Sequence, residues 1–167
     1  MKYKHFLFTI VLAGFITPSL AGLPASEQLK ALKKSAEKEM AKFFRVQNSW
    51  GKCLEVARAQ AKQHGALVQA SVCGKGANQK WTLDGAQVKL ASGKCLQPAG
   101  NPMTPGTRLQ IANCNGAPKQ KWKYVKEQLI TPANTCVEIL PAELNKNGAK
   151  VQINKCNGSK HQQWKPL

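Results

Sequence analysis

Three different rhythms of apolar and polar residues succeed one another along the 167-residue chain. The first is an apolar run, Phe6 to Ile16, set behind Lys2 and Lys4 and ahead of Ser19-Leu20-Ala21. It is short for a bilayer span, and small residues follow it where a signal peptidase reads. This predicts an export signal over residues 1–21, cut after Ala21. In the second rhythm Leu29, Leu32, Ala36, Met40 and Phe43 or Phe44 recur at three- and four-residue steps, with Lys30, Lys33, Lys34, Lys38 and Lys42 on the other faces. That spacing predicts a basic amphipathic helix over residues 26–46, within an extension of 22–46, with Ser26 as the N-cap and Pro24 just upstream. Such a helix packs on its own domain, lies on a membrane surface or docks a protein partner. The third rhythm fills residues 47–167 with short apolar runs broken by Gly, Pro, Asn and Asp. It predicts strands joined by turns, about four per repeat and roughly twelve in all.

The third region repeats itself. Gly51-Lys52-Cys53-Leu54, Gly93-Lys94-Cys95-Leu96 and Asn134-Thr135-Cys136-Val137 open three units of about 47–88, 89–130 and 131–167. Each unit continues with a glycine and a glutamine-bearing strand, at Gly65 to Gln69, Gly106 to Gln110 and Gly148 to Gln152. Cys73, Cys114 and Cys156 follow, each eight residues before a tryptophan that closes Gln79-Lys80-Trp81, Gln120-Lys121-Trp122 or Gln162-Gln163-Trp164. Self-similarity at a fixed period means that no copy buries its apolar face alone, so three copies share one core, with Trp81, Trp122 and Trp164 as its anchors.

Six cysteines in an exported chain, with no Cys-x-x-Cys among them, point to disulfides. Of the fifteen possible pairings, the repeat selects the symmetric one: Cys53–Cys73, Cys95–Cys114 and Cys136–Cys156.

Charge narrows the partners. The chain carries 25 basic and 8 acidic residues; without Lys2 and Lys4 the balance is 23 against 8, or +15. That excess attracts polyanions such as sulfated or sialylated glycans, lipopolysaccharide and anionic lipid. Export makes a specific nucleic-acid partner the least natural of these. Lys119, Lys121, Lys123 and Lys126 form the densest cluster. On one strand, Lys119, Lys121 and Lys123 would share a face, either as an anion-binding ridge or as a plain solvated surface. No nucleophile with a base, carboxylate pair or metal cluster stands in a supporting context. His5, His64 and His161 lack metal-ligand spacing, so a non-enzyme without cofactor or metal is expected.

The threefold cysteine pair, the glutamine-bearing strand and the three Gln-x-Trp closures, over residues 47 to 167, resemble the ricin B-type trefoil lectins. The resemblance implies an all-β trefoil, here preceded by the helix. It also implies carbohydrate binding in one shallow pocket per repeat. In sugar-binding relatives an acid stands two residues after the first cysteine, a stacking aromatic two before the second, and an asparagine just ahead of Gln-x-Trp. This sequence offers Glu55, Ser71 and Asn78 in the first repeat, with Gln69 and Gln79 alongside; Gln97, Ala112 and Lys119 in the second; and Glu138, Asn154 and His161 in the third. Every stacking aromatic is absent at those positions. Glu55, Gln69, Asn78 and Gln79 are therefore the candidate carbohydrate site, and acidic glycans the expected ligand class. The alternative is a protein-interaction or delivery subunit of a secreted toxin or envelope complex, with degenerate pockets and docking through helix 26–46. Either way the protein would be secreted or periplasmic.

Overall fold

A computed structural model describes residues 24–31, 43–100 and 103–167, and the chain falls into two units, Met1–Lys38 and Glu39–Leu167. The expected export signal and residues 32–42 of the expected helix lie outside the described residues.

In the first unit residues 25–31 are helical. The carbonyl of Pro24 accepts the N–H groups of Glu27 and Gln28 at 2.9 and 3.0 Å. Pro24 therefore occupies the capping position, and Ser26, expected there, lies inside the first turn. Lys30 and Glu27 pair at 3.1 Å on the exposed face. The expectation that the helix runs on to Val46 is corrected at its far end. Phe44 forms a β-bridge with Trp81, and Val46–Asn48 is already a strand, so this stretch belongs to the second unit.

The second unit is a β-trefoil of twelve strands, four to a repeat. They are β1 (Val46–Asn48), β2 (Lys52–Val56), β3 (Val68–Val72), β4 (Trp81–Asp84), β5 (Gln87–Leu90), β6 (Cys95–Pro98), β7 (Leu109–Ala112), β8 (Lys123–Val125), β9 (Gln128–Ile130), β10 (Thr135–Ile139), β11 (Ala149–Lys155) and β12 (Trp164–Pro166). Within each repeat the second and third strands form an antiparallel hairpin: β2 with β3, β6 with β7, β10 with β11. Outer strands pair across repeat boundaries, β4 with β5, β8 with β9, and β12 back onto β1. The last pairing joins the two ends of the trefoil and leaves no repeat odd.

Alternation along these strands builds the core. Leu54, Leu96 and Val137 occupy equivalent positions and are fully buried, as are Val68, Leu109 and Val151. The tryptophans join the repeats' first and last strands. Trp81, Trp122 and Trp164 donate their backbone N–H to the carbonyls of Phe44, Ala86 and Glu127 at 2.8, 2.7 and 2.7 Å. Their ring N–H groups reach the carbonyls of Leu54, Leu96 and Val137 at 2.8, 2.9 and 3.0 Å. Each buried ring is thus satisfied at its polar edge, and its burial contributes on the order of 3 kcal/mol. The three expected disulfides are present with the expected partners.

Asn134 at the start of the third repeat is explained by backbone shape. Gly51 and Gly93 open the other two repeats at φ +72° and +83°, and Asn134 takes φ 57° at the same place. Asparagine tolerates this left-handed conformation better than other side-chain-bearing residues, so the turn survives the exchange. The caps of the three hairpins meet around Arg108, whose guanidinium donates to the carbonyls of Val151 at 3.1 Å and Val68 at 3.3 Å, tying the second repeat to the other two. Desolvation there pulls its pKa below the ordinary arginine value, an effect Glu143 partly opposes.

Candidate carbohydrate-binding site

Cross-strand register puts Glu55 on β2 directly opposite Gln69 on β3. Gln69 Nε2 donates to Glu55 Oε1 at 2.9 Å, while Asn78 Nδ2 and Gln79 Nε2 donate to Oε2 at 3.3 and 2.6 Å. The four residues singled out in the first repeat thus form one hydrogen-bonded cluster around a single carboxylate. Glu55 is 9 % exposed and carries no cation within it. Three amide donors satisfy its two oxygens, as a buried polar group requires.

The members of the cluster are not equivalent. Gln79 also donates to the Val72 carbonyl at 2.9 Å and accepts the Gly74 N–H at 2.7 Å, so both ends of its amide are engaged within the protein. The same clamp recurs at Gln120, on the Asn113 carbonyl and Asn115 N–H, and at Gln162, on the Lys155 carbonyl and Asn157 N–H. The Gln of Gln-x-Trp therefore fixes the loop after the second cysteine and braces the residue at the acid position: Glu55, Gln97 or Glu138. Asn78, by contrast, sits where the cluster meets open space.

That space is a cleft of about 660 Å³. Its walls come from the 3-10 turn Arg58–Gln60 that follows β2, the 3-10 turn Ala77–Gln79 that precedes β4, and the turn at Ala91 and Ser92. Arg58, Lys62 and Lys75 supply positive charge, Asn78 and Ser92 supply neutral polar groups, and no acidic residue lines it. Gly76 is needed there for space: a β-carbon on it would collide with the Asn78 amide oxygen and press on Arg58. Sequence reasoning missed Arg58, Lys62 and Lys75 because they are spread over two loops that only the fold brings together.

The other repeats depart from this arrangement. In the third, Glu138 accepts Gln152, Asn154 and Gln162 at 2.9, 2.8 and 3.1 Å and is 3 % exposed, a cluster built like the first. His161, in the Asn78 position, stacks on Trp50 with ring centroids 5.1 Å apart and planes 5° from parallel. Trp50 comes from the turn between β1 and β2, so the third repeat does have an aromatic beside it, lent by the first. In the second repeat, neutral Gln97 replaces the acid and buried Ala112 the aromatic. Ser71, the first repeat's counterpart of the stacking aromatic, uses its hydroxyl to accept the Gly148 N–H at 2.8 Å.

The expected ridge of Lys119, Lys121 and Lys123 is broken. Lys119 is on the 3-10 turn Pro118–Gln120, Lys121 is in extended backbone at its end, and only Lys123 lies on β8. The shared face of a single strand does not exist there. The charge excess of the trefoil is nonetheless real at its surface. Of its five acids, Glu55 and Glu138 are buried on amides, and Asp84, Glu127 and Glu143 pair with Lys89, Lys165 and Lys150 at 2.7, 3.4 and 3.7 Å. Among the described residues no group of His, Cys, Asp or Glu is placed to hold a metal, and no helix is long and apolar enough to cross a membrane.

Residues 85–166 match the family model of the ricin-type beta-trefoil lectin domain. A search of curated protein sequences returned no match. Among solved structures, a designed threefold-symmetric protein, ThreeFoil, is 22 % identical with a TM-score of 0.66 over 75 % of this chain and 98 % of its own. The agglutinin from Abrus precatorius is 22 % identical with a TM-score of 0.66, over 74 % of this chain and 47 % of that one. An earthworm lectin C-terminal domain mutant, solved in complex with 6'-sialyllactose, is 16 % identical with a TM-score of 0.62, over 75 % of this chain and 97 % of its own. At these identities the structural likeness establishes the fold.

Proposed function

Given that this chain carries a ricin-type β-trefoil lectin domain, we propose that it is an exported, non-catalytic protein that binds acidic glycans in the cleft of its first repeat. The observation that carries the reading is the meeting of Arg58, Lys62 and Lys75 with Asn78 in one hollow that no acid lines. A sialyl carboxylate or a sulfate would face the three cations, and charge-assisted hydrogen bonds of that kind are about twice as strong as neutral ones. Neighbouring sugar hydroxyls would meet Asn78, held in place by its bonds to Glu55 and the Val56 carbonyl. Ala59, Ala61, Ala77 and Ala91 supply the apolar wall, a weak substitute for a stacking ring, so charge carries more of the recognition than in an aromatic-lined pocket.

The same division of labour assigns Gln79 and Gln69 to supporting the carboxylate. A bound acidic sugar in the earthworm relative is consistent with this ligand class on this fold. Export is supported by the leader at residues 1–21 and by three disulfides, which persist in oxidising compartments.

The test is direct binding of the oxidised protein to 6'-sialyllactose, sulfated lactose and plain lactose. The acidic sugars should bind at least tenfold more tightly, the scale of one good charge-assisted contact. Arg58→Ala should remove that preference. Equal affinity for lactose would overturn the acidic preference, and no binding to any of the three would overturn the lectin reading.

A further inference from the structure

Three threefold-related strand pairs bring the same register position to one end of the trefoil: Leu83 opposite Val88, Tyr124 opposite Leu129, and Val46 opposite Pro166. With Phe44 they enclose an apolar recess of about 140 Å³. Tyr124 keeps its hydroxyl out of it by donating to the Trp164 carbonyl at 2.8 Å. Around the recess the surface stays apolar. Of the seven large hydrophobic residues exposed among the described residues of the second unit, Leu83 and Tyr124 line the recess, Val125 follows Tyr124 at the end of β8, and Phe43 and Leu167 lie beside Phe44, at 44, 36, 49, 40 and 53 %. Concentration at one end separates them from the scattered apolar residues any surface carries.

The charges at this end have one sign left over. Asp84 and Glu127, at the tips of the two strand pairs, are ion-paired with Lys89 and Lys165. Arg45 and Lys80 line one hollow with Phe43, Phe44 and Leu167, Lys123 and Lys126 flank Tyr124 and Val125 along the chain, and none of the four has an acidic partner among the described residues. Aromatic and aliphatic side chains inside a ring of long cationic ones suit one environment above others. The apolar side chains enter the boundary between head groups and acyl chains, while the cationic stems lie along it and their heads meet lipid phosphates.

We propose that this end of the trefoil docks on an anionic lipid surface through Phe43, Leu83, Val125 and Leu167, with Arg45, Lys80, Lys123 and Lys126 facing the head groups. An acidic glycan would satisfy the cations and leave the apolar residues in water; a bilayer containing phosphatidylglycerol satisfies both. The two surfaces adjoin at Lys75, which lines both, but none of the apolar residues of the docking end lines the glycan cleft, so serine substitutions there separate the two assignments.

Cosedimentation of the oxidised protein with phosphatidylcholine vesicles, with and without phosphatidylglycerol, tests this. Binding should require phosphatidylglycerol, weaken as salt rises, and fall about tenfold in the combined variant Phe43→Ser, Leu83→Ser, Val125→Ser. These positions are exposed, and an unchanged melting temperature checks that the trefoil is intact. A second variant, Lys123→Glu with Lys126→Glu, should weaken binding without touching the apolar residues. No binding to phosphatidylglycerol vesicles overturns the proposal. So does binding that ignores the three serine substitutions, which would be charge adhesion alone, or binding lost only when the helix 25–31 is deleted, which would assign it to that helix. Self-association of the wild type that the serine variant abolishes, without vesicle binding, would identify a second copy of the chain as the occupant.

Discussion

Gln79 Nε2 lies 2.6 Å from Glu55 Oε2, so the glutamine that closes the first repeat holds the carboxylate that opens it. Gln162 holds Glu138 in the same way in the third repeat, and Gln120 holds Gln97 in the second. Two more bonds recur at each glutamine: it accepts a loop N–H and donates to a carbonyl, besides holding the acid-position residue. Gln79→Ala strands those groups in a buried setting. It should cost roughly 2–4 kcal/mol of stability, with Gln79→Glu also poorly tolerated because it places two carboxylates together. Thermal and denaturant unfolding measure this; a cost under about 0.5 kcal/mol, the range of an ordinary surface change, would show that the clamp is dispensable.

Gly76 supplies a cleaner test of the cleft. Its φ of −67° suits any residue, so the only obstacle to a side chain is the Asn78 amide and the Arg58 guanidinium beside it. Gly76→Ala should leave the fold standing and lower acidic-glycan affinity about tenfold or more by displacing both groups. Calorimetric titration beside a melting curve separates the two effects.

Arg108 should matter for stability alone. It bonds carbonyls from the other two repeats, and its replacement by alanine leaves the Val68 and Val151 carbonyls without that donor. A loss of roughly 1–3 kcal/mol in unfolding free energy is expected, with glycan affinity unchanged.

Glu143 makes one region sensitive to acid. The backbone N–H of Lys150 donates to its carboxylate at 2.8 Å, and that bond, with the Lys150 and Lys146 charges, holds its pKa below the ordinary glutamate value against some desolvation. A group depressed in the folded state contributes stability above its unfolded pKa and loses it as pH falls through the folded one. The loop from Leu140 to Lys150 should therefore loosen below the ordinary carboxylate range, and Glu143→Gln should flatten that dependence. Amide exchange of Lys150 against pH reads it directly.

Much of this architecture is legible in the sequence because symmetry writes it three times. The Cys–Cys spacing, the glutamine-bearing strand and Gln-x-Trp recur in phase, and each maps to the same bond in the fold, down to Asn134 standing in for glycine at a left-handed turn. The cluster of Glu55, Gln69, Asn78 and Gln79 was legible through the resemblance to the trefoil lectins, although not which member faces a ligand. Reading failed where two periods coincide. Phe43, Phe44 and Val46 fit a helical stripe, yet Phe44, Val46 and Asn48 also alternate as a strand, and pairing with Trp81 and β12 decided the matter. It failed too where a 3-10 turn interrupts extended chain between Lys119 and Lys123. A contact between different repeats, Trp50 on His161, and cations gathered from separate loops of one repeat in the first cleft leave no local signal at all.

Chemical-shift mapping of an isotope-labelled, oxidised sample titrated with 6'-sialyllactose at two salt concentrations locates the bound sugar residue by residue. Saturable shifts are expected at Arg58–Lys62 and Lys75–Asn78 alone, retained at the higher salt and lost in Arg58→Ala. Shifts spread over lysines throughout the surface and erased by salt, or clustered in the third repeat around Trp50 and His161, would contradict the cleft assignment.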